Sequence, residues 1–583
     1  MKIAINRNIF WSDLLLIRLQ KFGIRNVTIS PGSRSTSLTY SFAAQEYFKK
    51  YVFIDERSSG FFALGLAKKT GMPTIIVTTS GSAATELYPA VVEAYYQQTP
   101  LIIITADRPQ SLRNRGINQT INQASLFNNH ILAQFDIPTP ELNFNSIGEF
   151  IATIDDIFMK GFIHAKGPVH LNLQYDKPFE PDSTTDRVPP EFLDKAFGIA
   201  LKDFYVSEPK KPTIDSAILK KINSSSSGLI IVSGEKNQKE FSSSIKKLNS
   251  KLKFPIYFDA SSSYRINNND FYALNNFSGI VKSNQFVLQN DPEIIILIGK
   301  SPTSASVLDF LNHSKAFKIS VSSHVDKVDT TGNFDATLST NETDFCTTVL
   351  PKIKIKKLSL YTKSLLKLDS EIEVTKKEFL KNVIYGFEGK VISDVVNFIP
   401  GKSNLFISSS MPIRDLDFFA SNIEKSINIY SNRGASGIDG IISTALGIAS
   451  QSTNNFLITG DLGYFYDVSS IQSAVKYNIP LTVILINNNG GGIFESLPIS
   501  KYRKFFDDFF ITPHNLNLGK ITKSFGGNYF RINSSRELKR RLSLKQAGFT
   551  LLEIKTNSFE SKQIRDEYWK NVILLTDKFI NEN

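Results

Sequence analysis

The chain has 583 residues, enough for about three to five domain-sized units, and 41% of them are hydrophobic, so intrinsic disorder is excluded as its main state. No run of 18 or more uninterrupted apolar residues occurs, which argues against a membrane-spanning helix; the single cysteine, Cys346, excludes an internal disulfide and, with six scattered histidines, argues against structural zinc. The 67 Lys and Arg against 55 Asp and Glu leave a net charge of +12, which points to nucleic acid, a membrane surface or anionic small molecules, or to a Lys- and Asn-rich composition alone.

Residues 1–20 carry Arg7, Asp13 and Arg18 among apolar positions and read as an amphipathic helix, not a secretory signal. Up to about residue 180, short β-rich runs at Asn26–Ser30, Thr74–Thr79 and Leu101–Thr105 alternate with helical patterns, which implies βαβ units and a parallel sheet. A proline-rich connector follows, with Pro178, Pro181, Pro189 and Pro190, and continues loosely through Glu208-Pro209-Lys210-Lys211-Pro212. A second segment alternates again at Leu229–Ser233, Ile256–Asp259 and Glu293–Gly299, then a helical Ala305–Leu311. Lys352, Lys354, Lys356 and Lys357 mark a second connector, read as a solvated surface, before a charged helix near Leu358–Asn382. The third segment has strands at Leu405–Ser408, Ile427–Tyr430, Phe456–Thr459, Leu481–Asn487 and Thr550–Lys555. The expected architecture is α/β, with three doubly wound parallel-sheet domains at 1–185, 195–350 and 383–583. In such sheets ligands bind beyond the carboxyl ends of the strands.

Two strand ends carry the strongest chemical signal. The run Phe456-Leu457-Ile458-Thr459 ends in Gly460-Asp461-Leu462-Gly463, and Thr482–Ile486 ends in Asn487-Asn488-Asn489-Gly490-Gly491-Gly492. Together they offer a carboxylate, an amide oxygen and exposed backbone carbonyls, hard ligands suited to Mg²⁺, with glycines that admit a diphosphate. The alternative is two tight turns, with Asp461 capping a helix. Phe53-Ile54-Asp55-Glu56-Arg57 ends another expected strand; a buried Glu56 would keep a raised pKa and exchange a proton with a ring nitrogen, whereas at a helix start it is also what the macrodipole favours. The turn Ser431–Gly440 is not a dinucleotide fingerprint; Ile438 there is either an apolar wedge under a cofactor or ordinary helix-start core. Ser30-Pro31-Gly32-Ser33-Arg34 opens a helix as an anion site does. Arg34, Arg108, Arg414 and Arg433 at expected strand ends suit carboxylates, although any one alone reads as a surface ion pair.

The paired motif around Asp461 and Asn488 resembles that of thiamine-diphosphate enzymes, which hold the cofactor between two α/β domains. The stretches SPGSRS, DERSSGFFALGLAK, TSGSAATELYPAVVEA, TADRP, INQTI, NRGASGIDG, GDLGYFYD and NNNGGGIF resemble, more closely, the 2-succinyl-5-enolpyruvyl-6-hydroxy-3-cyclohexene-1-carboxylate synthase family of menaquinone biosynthesis; the middle segment is similar only in its α/β pattern. The resemblance implies a cytoplasmic transferase (a carboligase) that decarboxylates 2-oxoglutarate on thiamine diphosphate and adds the resulting carbanion to isochorismate. It implies Mg²⁺ or Mn²⁺ on Asp461, Asn488 and the Gly490 carbonyl, and a homodimer or homotetramer, with no nucleic acid and no membrane insertion. By the same resemblance Glu56, Ser410 and Arg414 are catalytic, and Glu56, Ser80, Gly81, Ile438, Asp461, Leu462, Asn488, Gly490, Ile493 and Phe494 contact the cofactor. Ser33, Arg34, Arg108, Asn118, Gln119, Ser410, Arg414, Arg433 and Leu497 contact substrates, with Ile493, Phe494 and Leu497 forming a dry wall. The family often places basic residues after the strand ending here at Gly299; this chain reads Lys300-Ser301-Pro302-Thr303-Ser304-Ala305-Ser306, with no basic pair at the helix start. The other reading within the superfamily is a thiamine-diphosphate-dependent decarboxylase or carboligase for monocarboxylic 2-oxo acids, which needs fewer cations.

Overall fold

A computed structural model describes residues 6–181, 186–204, 206, 212–234, 239–323, 328–545 and 547–582. The remainder of the first connector, 182–185 and 208–211, and the start of the expected first helix lie outside the described residues. The chain divides into two compact units: one combines residues up to 209 with 432–452 and 466–479, the other combines 210–431, 453–465 and 480–583.

The first unit is built on one sheet of six strands: β1 Asn26–Ile29, β2 Lys49–Val52, β3 Thr74–Thr78, β4 Leu101–Asp107, β5 Ala133–Ile137 and β6 Pro168–Gln174, in the order β2-β1-β3-β4-β6-β5. Every pairing is parallel. β1, β3, β4 and β6 are buried along their whole length, as in a sheet covered on both faces; β3 and β4 carry the continuous Ile, Val and Leu runs Ile75–Val77 and Leu101–Ile104, whereas β1 and β6 bury polar residues such as Thr28, His170 and Asn172 as well. The helix Arg7–Lys21 is buried from Asn8 to Leu19, so it is not amphipathic as expected. Its buried cation is neutralised inside: the Arg18 guanidinium is paired with Asp155 and donates to the carbonyls of Ala200 and Lys202. Helix Pro190–Ala200, which starts at Pro190 inside the first connector, packs Leu193, Ala196 and Ala200 into the same core.

Helix Ile441–Ala449 lies against helix Glu56–Thr70 in this unit. The crossing is glycine-dependent. A Cβ on Gly65 would sit 2.1 Å from the Thr444 carbonyl oxygen, and one on Gly447 would sit 2.2 Å from that of Phe62. Asp467, fully buried, accepts the Ser443 backbone N–H at 2.6 Å and the Ser443 hydroxyl at 3.0 Å. Arg57, one residue after Glu56, reaches the same carboxylate at 3.5 Å.

Among the described residues the second unit contains two sheets. One is formed by β7 Leu229–Ser233, β8 Ile256–Phe258, β9 Ala273–Leu274, β10 Ile294–Gly299, β11 Phe317–Ser322 and β12 Ala336–Ser339, in the order β12-β11-β10-β7-β8-β9. The other is formed by β13 Ser403–Ile407, β14 Ile427–Tyr430, β15 Asn455–Gly460, β16 Leu481–Asn487, β17 Asn528–Arg531 and β18 Phe549–Lys555, in the order β14-β13-β15-β16-β18-β17. Both are parallel throughout. The charged helix Leu360–Asn382 forms as expected, and the last helix, Ser558–Glu582, contributes Tyr568, Val572 and Phe579 to a core that also holds Leu365, Leu368 and Ile372 of Leu360–Asn382. In the lysine connector Lys352, Lys354 and Lys357 face solvent, and Lys356 donates to the carbonyls of Asn223 and Ser225.

The first and third sheets share one strand order, counted within each as 2-1-3-4-6-5. Chain direction reverses between the first and third strands, so the switch points lie at the carboxyl ends of β1 with β3 and of β13 with β15. Those ends carry Ser33, Arg34, Ser80 and Gly81 in one unit, and Ser410 and Asp461 in the other.

Candidate active site

In the second unit β15 runs directly into helix Asp461–Tyr466. The Asp461 carboxylate is buried, and accepts the Leu462 N–H at 2.7 Å and the Gly490 N–H at 3.0 Å. His514 Nδ1 accepts the Leu516 N–H at 3.0 Å, so its Nε2 is the protonated ring nitrogen; it lies 3.3 Å from Asp461 Oδ2. Burial pushes the Asp461 carboxyl above the ordinary carboxylate range, and the two backbone N–H groups pull it back.

The Asn488 amide follows β16 and donates Nδ2–H to Glu388 Oε1 at 2.8 Å. Its Oδ1 is buried with no hydrogen-bond partner. A buried, unpaired amide oxygen costs about 1–3 kcal/mol of lost solvation, so a ligand in need of an oxygen donor is its natural complement. Gly490 has φ 151°, and a Cβ there would lie 2.2 Å from the Ile511 carbonyl oxygen, so only glycine fits. Its carbonyl accepts the Gly492 N–H at 3.0 Å and keeps a second lone pair. One carboxylate, one orphan amide oxygen and one carbonyl are the hard donors that a partly hydrated Mg²⁺ takes. Among the described residues there is no cluster of three or more His, Cys, Asp or Glu side chains able to hold a metal instead.

Ser410, which precedes helix Met411–Phe419, has φ 74° and ψ −135°, a backbone conformation costing a non-glycine residue about 1–3 kcal/mol. Gly81, which precedes helix Ser82–Thr85 in the other unit, has nearly the same angles, φ 84° and ψ −141°. The Arg414 guanidinium donates to the Ser410 carbonyl at 2.5 Å. Asp415 beside it is held by Arg565, through Nε at 2.8 Å and Nη2 at 2.7 Å, and Arg565 Nη2 also reaches Glu388 Oε2 at 2.5 Å. Ile493 and Phe494 lie half-buried on the turn Gly492–Ser496, and Leu497 after it is 44% exposed.

In the first unit Glu56 is the first residue of helix Glu56–Thr70, whose N-cap, Asp55, accepts the Ser58 N–H at 3.1 Å. Burial pushes the Glu56 carboxyl up, and the charges of Asp55 and Glu86 act in the same direction. Arg108 is buried and donates to Ser80 Oγ at 2.9 Å and to the Gln119 carbonyl at 2.6 Å. Arg34 donates to the Tyr175 carbonyl at 2.8 Å and lies 4.7 Å over the Phe179 ring. Burial and the Arg108 charge lower the Arg34 pKa, and the charges of Asp176 and Asp107 act against them. Ser33, Asn118 and the Gln119 side chain face solvent.

Arg433 and Ile438 follow β14, yet their loop packs with the first unit. Its anchor is Glu93, a buried residue of helix Tyr88–Gln97. The Glu93 carboxylate accepts three consecutive backbone N–H groups: Gly434 at 2.7 Å, Ala435 at 2.7 Å and Ser436 at 3.2 Å. Ile438 is 38% exposed and is therefore not helix-start core. Sequence reasoning did not single out Glu93, Glu388, His514, Asp467 or Arg565. The one local signal was at Glu93, a lone carboxylate in the apolar run Ala90-Val91-Val92-Glu93-Ala94.

Two family models match the chain: the N-terminal TPP binding domain of thiamine pyrophosphate enzymes over residues 11–126, and their C-terminal TPP binding domain over residues 421–554. Curated relatives span nearly the whole chain. One from Gloeothece citriformis is 33% identical, covering 95% of this chain and 96% of its own length. One from Bacillus cytotoxicus is 30% identical with 96% of each covered, and one from Haloarcula marismortui is 31% identical with 98% of each covered. All three carry the name 2-succinyl-5-enolpyruvyl-6-hydroxy-3-cyclohexene-1-carboxylate synthase. With three parallel α/β sheets among the described residues, both cofactor-domain matches and relatives at this identity over nearly all of its length, the chain belongs to the 2-succinyl-5-enolpyruvyl-6-hydroxy-3-cyclohexene-1-carboxylate synthase family of thiamine-diphosphate enzymes.

Proposed function

We propose that this protein uses thiamine diphosphate to join 2-oxoglutarate, with loss of CO₂, to isochorismate, giving 2-succinyl-5-enolpyruvyl-6-hydroxy-3-cyclohexene-1-carboxylate for menaquinone biosynthesis. The observation that carries the reading is the buried, unpaired Asn488 oxygen beside a glycine-rich strand end and the Asp461 carboxylate. Asp461, Asn488 and the Gly490 carbonyl would hold Mg²⁺ or Mn²⁺ and, through it, the diphosphate. When bound, thiamine diphosphate supplies a carbon nucleophile and an electron sink for the carboxylate's departure.

The chain's own residues orient, protonate and exclude water. Glu56, whose carboxyl is pushed up by burial, would hold a proton at the aminopyrimidine ring nitrogen. Ser80, Gly81 and Leu462 would contact the cofactor when it is bound, and Ile438 would serve as an apolar wedge against it. Ile493, Phe494 and Leu497 keep water from the reacting carbons; loss of CO₂ is favoured where the carboxylate is poorly hydrated. Both substrates are dicarboxylates, and the cations Arg34, Arg108, Arg414 and Arg433, with Ser33, Asn118, Gln119 and Ser410, match that charge. The proposal includes domains at 1–185, 195–350 and 383–583, a dimer-based assembly and a cytoplasmic location. Among the described residues no helix is long and apolar enough to cross a membrane.

The test is product identity. Purified protein with Mg²⁺ and thiamine diphosphate should consume isochorismate only when 2-oxoglutarate is present, with product mass equal to the sum of both substrates less CO₂. Turnover of pyruvate with isochorismate untouched overturns the reading.

A further inference from the structure

Asn488 can present either face of its amide to a cation, and only the oxygen binds one. In this structure the choice is made by Glu388, a buried residue one hundred positions earlier. Its Oε1 takes the amide N–H at 2.8 Å and the Thr556 hydroxyl at 3.2 Å. Its Oε2 takes Arg565 Nη2 at 2.5 Å, and Arg565 is locked in turn by two bonds to Asp415. Glu388, Asp415 and Arg565 are all buried, so none can swing into water to find another partner. With its amino group committed to a carboxylate, Asn488 is left with an oxygen that has no protein partner.

We infer that Glu388, fixed by Arg565 and Asp415, is a positioning residue that sets the amide of Asn488 with its oxygen toward the divalent ion. The inference rests on the reading of Asn488 as an ion ligand. Groups of this kind behind metal ligands change metal affinity by about 10- to 100-fold when removed.

The donor and acceptor logic gives a test in which a second substitution repairs the first. In Glu388→Gln the new amide keeps its oxygen on Arg565, which can only donate, and so turns its NH₂ toward Asn488. Asn488 must then rotate, accept through its oxygen, and aim N–H groups at the ion. In Asn488→Asp two carboxylates face each other. In Asn488→Asp/Glu388→Gln the pair is restored in reverse: the Gln NH₂ donates one N–H to the Asp and the other to the Thr556 hydroxyl, which turns from donor to acceptor, while the Gln oxygen stays on Arg565.

The readout is Mn²⁺ binding to the full chain in the presence of thiamine diphosphate, followed by electron paramagnetic resonance of free Mn²⁺. Far-UV circular dichroism and metal-free melting of each variant establish folding. Glu388→Gln and Asn488→Asp should each weaken Mn²⁺ binding at least 10-fold, and the double variant should bind within about 3-fold of the parent. If folded Glu388→Gln binds like the parent, or the double variant is as weak as the worse single one, the positioning role is wrong. If either single variant fails to fold, the double variant against the parent decides: weak binding by a folded double variant, or its failure to fold, refutes the restored pair. If the parent itself shows no Mn²⁺ binding that depends on thiamine diphosphate, the ion-ligand reading fails, and the two failures are thereby told apart.

Discussion

Replacing Glu93 by Gln tests whether one carboxylate holds the loop that carries Arg433 and Ile438. The carboxylate accepts Gly434 on one oxygen and Ala435 and Ser436 on the other. Gln has a single acceptor oxygen. In its better orientation that oxygen serves Ala435 and Ser436, and its NH₂ is pressed against the Gly434 N–H. A buried donor left unpaired costs about 1–3 kcal/mol, and the two surviving bonds lose the roughly twofold strength that a charge provides. The loop should therefore open more easily by about 2–4 kcal/mol. At 1.36 kcal/mol per decade, amide hydrogen exchange at residues 434–436 should accelerate by roughly 30- to 1000-fold. Mass-spectrometric exchange of the metal-free chain measures this directly, with strand β4 as the unaffected reference. Exchange at 434–436 within about 3-fold of the parent, in a folded variant, refutes the argument that Glu93 anchors the loop.

Other perturbations have equally definite outcomes. Glu56→Gln removes the only proton that this side chain can exchange; turnover should fall at least 100-fold while thiamine diphosphate binding, read by quenching of intrinsic fluorescence, changes less than 10-fold. Gly65→Ala drives a Cβ into the Thr444 carbonyl at 2.1 Å and should cost about 1–3 kcal/mol in chemical denaturation. Gly148→Ala, in helix Phe144–Phe158 with open space around it, should stabilise by about 0.5–1 kcal/mol. Asp369 is fully buried and its carboxyl is pushed up to about 6 by desolvation. The folded state therefore binds more protons than the unfolded one between pH 4 and 6, and this group makes stability fall as pH rises through that window. Asp369→Asn should remove that component, leaving a flatter curve of denaturant midpoint against pH between 4 and 6.

Hydrophobic continuity made the central strands readable. β7, β10, β15 and β16 are runs of Ile, Leu and Val buried on both faces, and their limits fell within a residue or two of the expected ones. Edge strands lack that signature: β2 is Lys-Lys-Tyr-Val and β17 is Asn-Tyr-Phe-Arg, each half-exposed, because an edge is covered on fewer sides. The first helix misled for a related reason. Asp13 and Arg18 imply a solvent face only if no other segment buries them, and Arg18 finds its carboxylate 137 residues away. The same distinction holds at the candidate site. Asp461, Asn488 and Gly490 stand where strands meet glycines, a local pattern. Glu93 and Gly434 are 341 positions apart, and Arg565 and Glu388 are 177 apart, so those pairs exist only once the chain is folded.

The first compact unit includes helix Ile441–Ala449 and the segment 466–479, both far downstream of its own sheet. On the ribosome the opening two hundred residues therefore emerge with the glycine-notched side of helix Glu56–Thr70 still uncovered. At about 5–20 residues per second, the roughly 270 residues that separate position 209 from position 479 take about 15–50 s to synthesise. For that interval the face of helix Glu56–Thr70 that meets Ile441–Ala449 must wait for its packing partner, so this crossing closes late, after most of the chain has been made.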